Sequence, residues 1–189
     1  MAYFPLFLNL EGKKILIIGG GKIAGDKLDH LLDFTTDITI ISPLVSIYIT
    51  KMIKEHSLTY IEREYKAGDI DGFDIVIGAT DDKELQEAIS RECKSKDILC
   101  NIVDRKELCD FIFPSYIKKG DLTIAISTSG ASPAVAKHLR MFLESILPSD
   151  IEEFLKDMKN YRKEMPQGEL RMAFLEAKAK EFFANLRYS

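Results

Sequence analysis

Cysteine is scarce in this chain: among 189 residues there are three, Cys93, Cys100 and Cys109. An odd number with no C-x-x-C step excludes a disulfide framework, so buried, reduced thiols and a cytoplasmic setting are expected. His30, His56 and His138 are scattered over helical stretches. They share no metal-ligand spacing with one another or with the cysteines, so no metal site is predicted. No apolar run approaches the roughly 18 residues of a membrane span. The start, Met1-Ala2-Tyr3-Phe4-Pro5, lacks the basic residues and long apolar stretch of a secretory leader. Dense Lys/Arg runs are missing too, and a formal net charge of −4 argues against a nucleic-acid partner. Internal repeats and low-complexity segments are absent.

What is present belongs to a globular protein: 46% of residues are hydrophobic and 30% charged. The length suits one ordinary domain plus a smaller appendage. The most informative stretch is Lys14-Ile15-Leu16-Ile17-Ile18-Gly19-Gly20-Gly21-Lys22-Ile23-Ala24. It reads as a buried strand that runs into a glycine turn and opens a helix. Gly19 and Gly21, with Ala24 in the third slot, fit the G-x-G-x-x-G/A fingerprint of a dinucleotide-binding βαβ unit. Gly19 permits the tight turn, Gly21 carries no Cβ to block a pyrophosphate, and Ala24 lets the helix pack closely on the sheet. The amides and positive dipole end of that helix would hold the phosphates. A strand–helix turn that needs glycine only for its backbone angles is the competing reading.

Strand and helix alternate through the first hundred residues, the pattern of a parallel sheet covered on both faces. Ala24, Leu28, Leu31 and Leu32 recur at helical spacing after the glycine turn. Strands are predicted at 38–41, 58–61, 74–79 and 98–103, with a helix near 46–56 and another capped by Asp82. From Phe111 the rhythm changes. Two strands joined at Lys118-Lys119-Gly120-Asp121 predict a hairpin, and Ser132-Pro133 predicts an N-cap and first turn. Val135, Leu139, Phe142, Leu143 and Ile146 make the following helix amphipathic. After a break at 147–150, a helical, charge-balanced tail splits near Pro166-Gln167-Gly168.

Ligands of an open parallel sheet bind outside the carboxyl ends of its strands. Those ends here are Gly19–Lys22, Ser42-Pro43-Leu44, Thr80-Asp81 and Asn101–Asp104. Many NAD enzymes place an acid for the ribose hydroxyl where this chain has Ser42. No Arg stands beside Ser42 to welcome a 2′-phosphate, which favours NAD. Asp104, at the end of a buried strand, is either a catalytic carboxylate or a cap for residues 106–108. The Ser127-Thr128-Ser129 loop is either a surface turn or an anion-binding nest, with Lys118, Lys119, Lys137 and Arg140 as nearby positive charge.

A wider set of residues then enters. Phe4-Pro5 and Leu10-x-Gly12-Lys13 precede the glycine turn, and Lys27 follows it. Ala79-Thr80-Asp81-Asp82, Asn101-Ile102-Val103-Asp104, Phe111-Ile112-x-Pro114 and Ile126-Ser127-Thr128-Ser129-Gly130-x-Ser132-Pro133 complete the series. In order and spacing these residues resemble the precorrin-2 dehydrogenase family, the N-terminal module of sirohaem synthases, over about residues 4–148. The tail beyond Pro148 is similar only loosely, and Asp26 stands where the family usually carries Arg.

The resemblance implies a Rossmann-like NAD-binding domain over residues 1–113, a small α+β dimerisation region over 114–148 and a helical segment over 149–189. It implies a homodimer that oxidises precorrin-2 to sirohydrochlorin with NAD as cofactor, and in some members insertion of Fe²⁺ as a co-substrate. It puts the catalytic aspartate at Asp104 and cofactor contacts at Lys22, Ile23, Pro43 and Leu44, to which the fingerprint adds Gly19 and Gly21 and the strand ends add Thr80. Substrate contacts are expected at Asn101, on its strand end, and at Ser127, Thr128 and Ser129, a loop that is a phosphorylation position in some relatives. A non-catalytic NAD sensor would need the fingerprint without Asp104 or the serine loop. A short-chain oxidoreductase would need a Tyr-x-x-x-Lys pair, whereas Tyr161 precedes Arg162-Lys163 in the tail.

Overall fold

Short runs of isoleucine build the sheet of the first unit. β1 (Ile15–Ile18), β2 (Ile38–Ile41) and β4 (Ile75–Gly78) are almost wholly buried. Branching at Cβ suits the pleated conformation, and strands covered on both faces are apolar throughout instead of alternating. The computed structural model describes residues 3–185, which divide after Phe113 into two compact units. Met1 and Ala2, read above for a leader, and the last four positions of the tail lie outside the described residues.

In the first unit five parallel strands lie in the order β3-β2-β1-β4-β5, with β3 at Thr59–Ile61 and β5 at Leu99–Ile102. Alternate residues of β1 serve opposite faces. Ile15 and Ile17 pack with Ala24 and Leu28 of α1 (Lys22–Leu32) and Ile49 of α2 (Ile47–His56). Leu16 and Ile18 pack with Ile89 and Cys93 of α3 (Lys83–Ser95). The chain leaves β1 towards β2 on one side and returns at β4 on the other. The crevice at such a reversal is where open α/β sheets take their ligands.

β3 and β4 are joined without a helix. Polar contacts order this connector: the Arg63 guanidinium donates to both Asp69 carboxylate oxygens, at 2.6 and 2.8 Å. Tyr65 and the Gly68 amide donate to Glu92 of α3. Ile70 inserts fully into the core.

In the second unit β6 (Ser115–Lys119) and β7 (Leu122–Ile126) form an antiparallel hairpin. Lys118 and Lys119 pair within the ladder, so the turn is Gly120-Asp121 alone, tighter than the four residues expected. Gly120 has φ +56° there, a conformation glycine adopts without strain. α4 (Pro133–Ile146), α5 (Ile151–Glu164) and α6 (Glu169–Asn185) follow. α5 and α6 meet through a Phe154–Phe182 stack with centroids 4.0 Å apart and an edge contact of Tyr161 with Phe174. Among the described residues, no helix is long and apolar enough to cross a membrane.

Candidate functional site

At the carboxyl ends of the strands of the first unit lies a cleft of about 790 Å³, the size of small-molecule and cofactor sites. Its floor is the glycine turn. Gly19 has φ +121°, and a Cβ on it would stand 2.1 Å from the Ala79 carbonyl oxygen. Gly20 is equally confined, by the Leu44 carbonyl at 1.9 Å from the same hypothetical atom. Its own carbonyl accepts from the Ser46 amide at 2.9 Å. The second glycine therefore binds the turn to the loop after β2, a role that the fingerprint does not announce. Gly21 differs: nothing lies within 4 Å of its missing Cβ. It is the N-cap of α1, and no side chain caps that helix. Lys22 and Ile23 thus open a helix start into the cleft, an arrangement that favours an anion.

Pro43 and Leu44 line the cleft from the end of β2. Ser42 is buried and donates its hydroxyl to the Leu44 carbonyl at 2.6 Å, which shapes the loop. The connector after β3 contributes Glu64 and Tyr65. Neither was a sequence candidate, because residues 62–73 carry no periodicity or motif to single them out. Burial and the hydrogen bond to Glu92 push the Tyr65 phenol up, so it stays protonated. At the end of β4, Thr80 lines the cleft and its carbonyl accepts from buried Gln86 at 2.6 Å. Asp82 caps α3 as predicted, accepting from the amides of Glu84 at 2.9 Å and Leu85 at 3.1 Å.

Asp104 lines the same cleft and is exposed. The Arg105 amide donates to the Ile102 carbonyl at 3.3 Å, closing a four-residue turn with Asp104 third and at φ +61°. That place in a turn favours Gly or Asn, and an aspartate held there stores local strain of the kind found at functional sites. The capping alternative is not realised, since the 3₁₀ turn at Lys106–Leu108 has no side-chain cap. Asn101 lies apart from the cleft lining: its buried side chain donates to the Phe111 carbonyl at 2.8 Å. Lys27 is half-buried, with its ammonium 4.4 Å from the centre of the Phe113 ring. Burial lowers its pKa, while the charges of Asp26 and Asp104 act the other way.

The Ser127-Thr128-Ser129 loop belongs to the second unit and is ordered by its own hydroxyls. Ser127 Oγ accepts from the Ser129 amide at 3.0 Å, and Thr128 Oγ1 accepts from the Ser132 amide at 3.2 Å. Ser129 and Gly130 both have positive φ. Two of the basic groups expected around it have local partners, Lys118 on the Gly120 carbonyl and Arg140 on Glu144. Among the described residues, no group of three or more His, Cys, Asp or Glu side chains could hold a metal ion.

Comparison with known proteins adds the lineage. A family model described as NAD(P)-binding matches residues 6–115. One described as the sirohaem biosynthesis protein central segment matches residues 119–146. The chain is similar to a siroheme synthase of Thioalkalivibrio sulfidiphilus, 33% identical over 93% of this chain and 37% of the relative. A siroheme synthase of Methylococcus capsulatus is 37% identical over 79% of this chain and 31% of its own length. The chain therefore spans about a third of the length of these relatives. Among solved structures, SirC, a precorrin-2 dehydrogenase, aligns with TM-score 0.80 over 99% of this chain and 100% of that one. Its identity is 22%, so this likeness shows the fold.

Proposed function

The chain belongs to the NAD(P)-binding family of sirohaem-biosynthesis proteins, and on that premise we propose that it oxidises precorrin-2 to sirohydrochlorin with NAD⁺. The observation that carries this reading is one cleft lined by both the helix start at Gly21–Ile23 and the strained turn of Asp104. The reaction removes two hydrogens from the macrocycle, one as hydride and one as a proton. Bound NAD⁺ would supply the hydride acceptor.

The chain's own residues do the rest. The uncapped α1 start, with Gly19, Gly21, Lys22 and Ile23, binds the pyrophosphate. Pro43, Leu44 and Thr80 hold the adenosine and ribose sides. Asp104 accepts the proton released as conjugation extends, or orients the pyrrole N–H groups. Asn101 acts from behind, steadying the end of β5. In the second unit, Ser127, Thr128 and Ser129 are assigned to the substrate's carboxylates, on the hydroxyl-rich character of that loop. We also assign a homodimer, formed through residues 114–148, with residues 149–189 as an accessory helical segment.

Preference for NAD over NADP has two supports. Glu64 lines the cleft, and a carboxylate there would repel a 2′-phosphate. The neighbouring Arg63 is engaged by Asp69 and so is not available to bind one. The Glu64→Gln variant is expected to narrow the ratio of NAD to NADP affinity, measured by fluorescence titration of the reduced cofactors.

The test is anaerobic incubation with precorrin-2 and NAD⁺, following NADH and sirohydrochlorin by absorbance. Turnover by the wild type, with loss of most activity but retained NAD binding in Asp104→Asn, is the expected result. Full activity in Asp104→Asn would remove the role given to that residue. Tight NAD binding without oxidation by the wild type would leave a cofactor sensor in its place. Adding Fe²⁺ to the product tests insertion at the same site, where Asp104 would take the pyrrole protons. Metal uptake no faster than without protein would discard it.

A further inference from the structure

The turn that presents Asp104 is held by a side chain with no part in the chemistry so far. Cys109 returns beside the end of β5, after the 3₁₀ turn. Its sulfur lies 3.1 Å from the Ile102 carbonyl oxygen and 3.2 Å from that of Arg105. The Ile102 amide donates to the same sulfur at 3.2 Å. Ile102 and Arg105 are the first and last residues of the turn whose third residue is Asp104. A single thiol thus touches both ends of that turn, its one proton shared between two carbonyls and its lone pair taken by an amide.

The flanking bonds make this return segment a fixed support. The Cys100 amide donates to the Asp110 carboxylate at 2.9 Å, and the Asp110 amide to the Cys100 carbonyl at 2.8 Å. With Asn101 bonded to Phe111, residues 109–111 are bound to β5 by three successive residues. The only strained element between these fixed ends is the turn itself, with Asp104 at φ +61°. Aspartate enters that region only occasionally and as a single residue.

We propose that Cys109 is a positioning residue that clamps the turn and so holds the Asp104 carboxylate in place over the cleft. This rests on the role given to Asp104 above. Burial keeps the thiol above its ordinary pKa, with the Ile102 amide opposing it, Asp110 and Glu107 adding to it and Lys27 opposing it further. The donor proton is therefore retained at neutral pH. Serine at this position keeps one donor and one acceptor, whereas alanine and valine keep neither. Valine preserves most of the packing volume and so separates the clamp from mere filling of space.

The experiment combines the precorrin-2 assay with amide hydrogen exchange on full-length wild type, Cys109→Ser, Cys109→Ala, Cys109→Val, Asp104→Asn and the double variant C109A/D104N. Misplacement of a reacting group by about 1 Å costs on the order of 100-fold. A fall in kcat of about 10- to 100-fold is therefore expected for the alanine and valine variants. NAD affinity should be unchanged and the serine variant should recover most of the rate. In the Asp104→Asn background, loss of the thiol should cost nothing further. The Arg105 amide should exchange faster in Cys109→Ala and Cys109→Val than in wild type or Cys109→Ser.

Wild-type kcat in Cys109→Val would overturn the proposal, as would a loss that simply multiplies with that of Asp104→Asn. Should alanine fail to fold, valine and serine carry the comparison. Should the wild type not oxidise precorrin-2, the dehydrogenase reading fails separately. The clamp is then decided by exchange at Arg105 alone, and equal protection in all variants would refute it.

Discussion

A Cβ placed on Gly20 would stand 1.9 Å from the Leu44 carbonyl oxygen, whereas one on Gly21 meets nothing within 4 Å. One added methyl group should therefore have different consequences at neighbouring positions. Gly20→Ala must push backbone against backbone, and a loss of several kcal/mol, about 3 or more, is expected in chemical denaturation. Gly21→Ala should leave the denaturation midpoint unchanged and weaken NAD binding in calorimetry, because its methyl group would enter the open space assigned above to the pyrophosphate. The fingerprint made Gly19 and Gly21 legible in the sequence. It could not reveal Gly20, whose constraint comes from a carbonyl more than twenty residues away along the chain. Asp104 was legible as the end of a buried strand, but not its left-handed conformation. Around it stand the closing bond from Arg105 and the thiol of Cys109, the proposed clamp.

Elements follow from local chemistry where a side chain and its partner are close in sequence. Ser46, Asp82 and Ser132 each accept a bond from an amide in the first turn of the helix they start. Asp82→Ala should cost about 1 kcal/mol in denaturation experiments. The connector between β3 and β4 behaves differently, because its order comes from ion pairs and not from periodicity. The guanidinium of Arg63 holds the Asp69 carboxyl below the usual carboxylate range, with the Lys66 amide adding to the effect and burial opposing it. A depressed carboxyl stabilises the fold above its unfolded value near pH 4, and loses that contribution as pH falls through the folded value. Asp69→Asn should lower thermal stability at neutral pH and flatten its decline below about pH 4. An unchanged acid slope in scans from neutral to acid pH would show that the pair contributes nothing there.

For the whole molecule, the outward face of α4 is the feature that a single chain leaves unexplained. Val135, Leu139, Phe142 and Ile146 recur at helical spacing and are 41 to 60% exposed. An apolar stripe of this kind usually marks an association surface. Phe142→Asp should convert the proposed homodimer into a monomer in sedimentation velocity without loss of helix content. A monomeric wild type would remove the dimer from the reading.

The sequence by itself determined the βαβ order, the glycine turn at Gly19 and Gly21, the hairpin and the helix starts. Those depend on periodicity, β-branching and capping, which act over a few residues. Tertiary structure alone decided which strand ends share the cleft, that Glu64 and Tyr65 join them, and that Asn101 turns inward to Phe111. It also decided the backbone of Asp104, because a strained turn persists only where the surrounding contacts outweigh its cost. Here those contacts come from residues 109–111, an irregular segment bonded back to β5 that no local pattern announces.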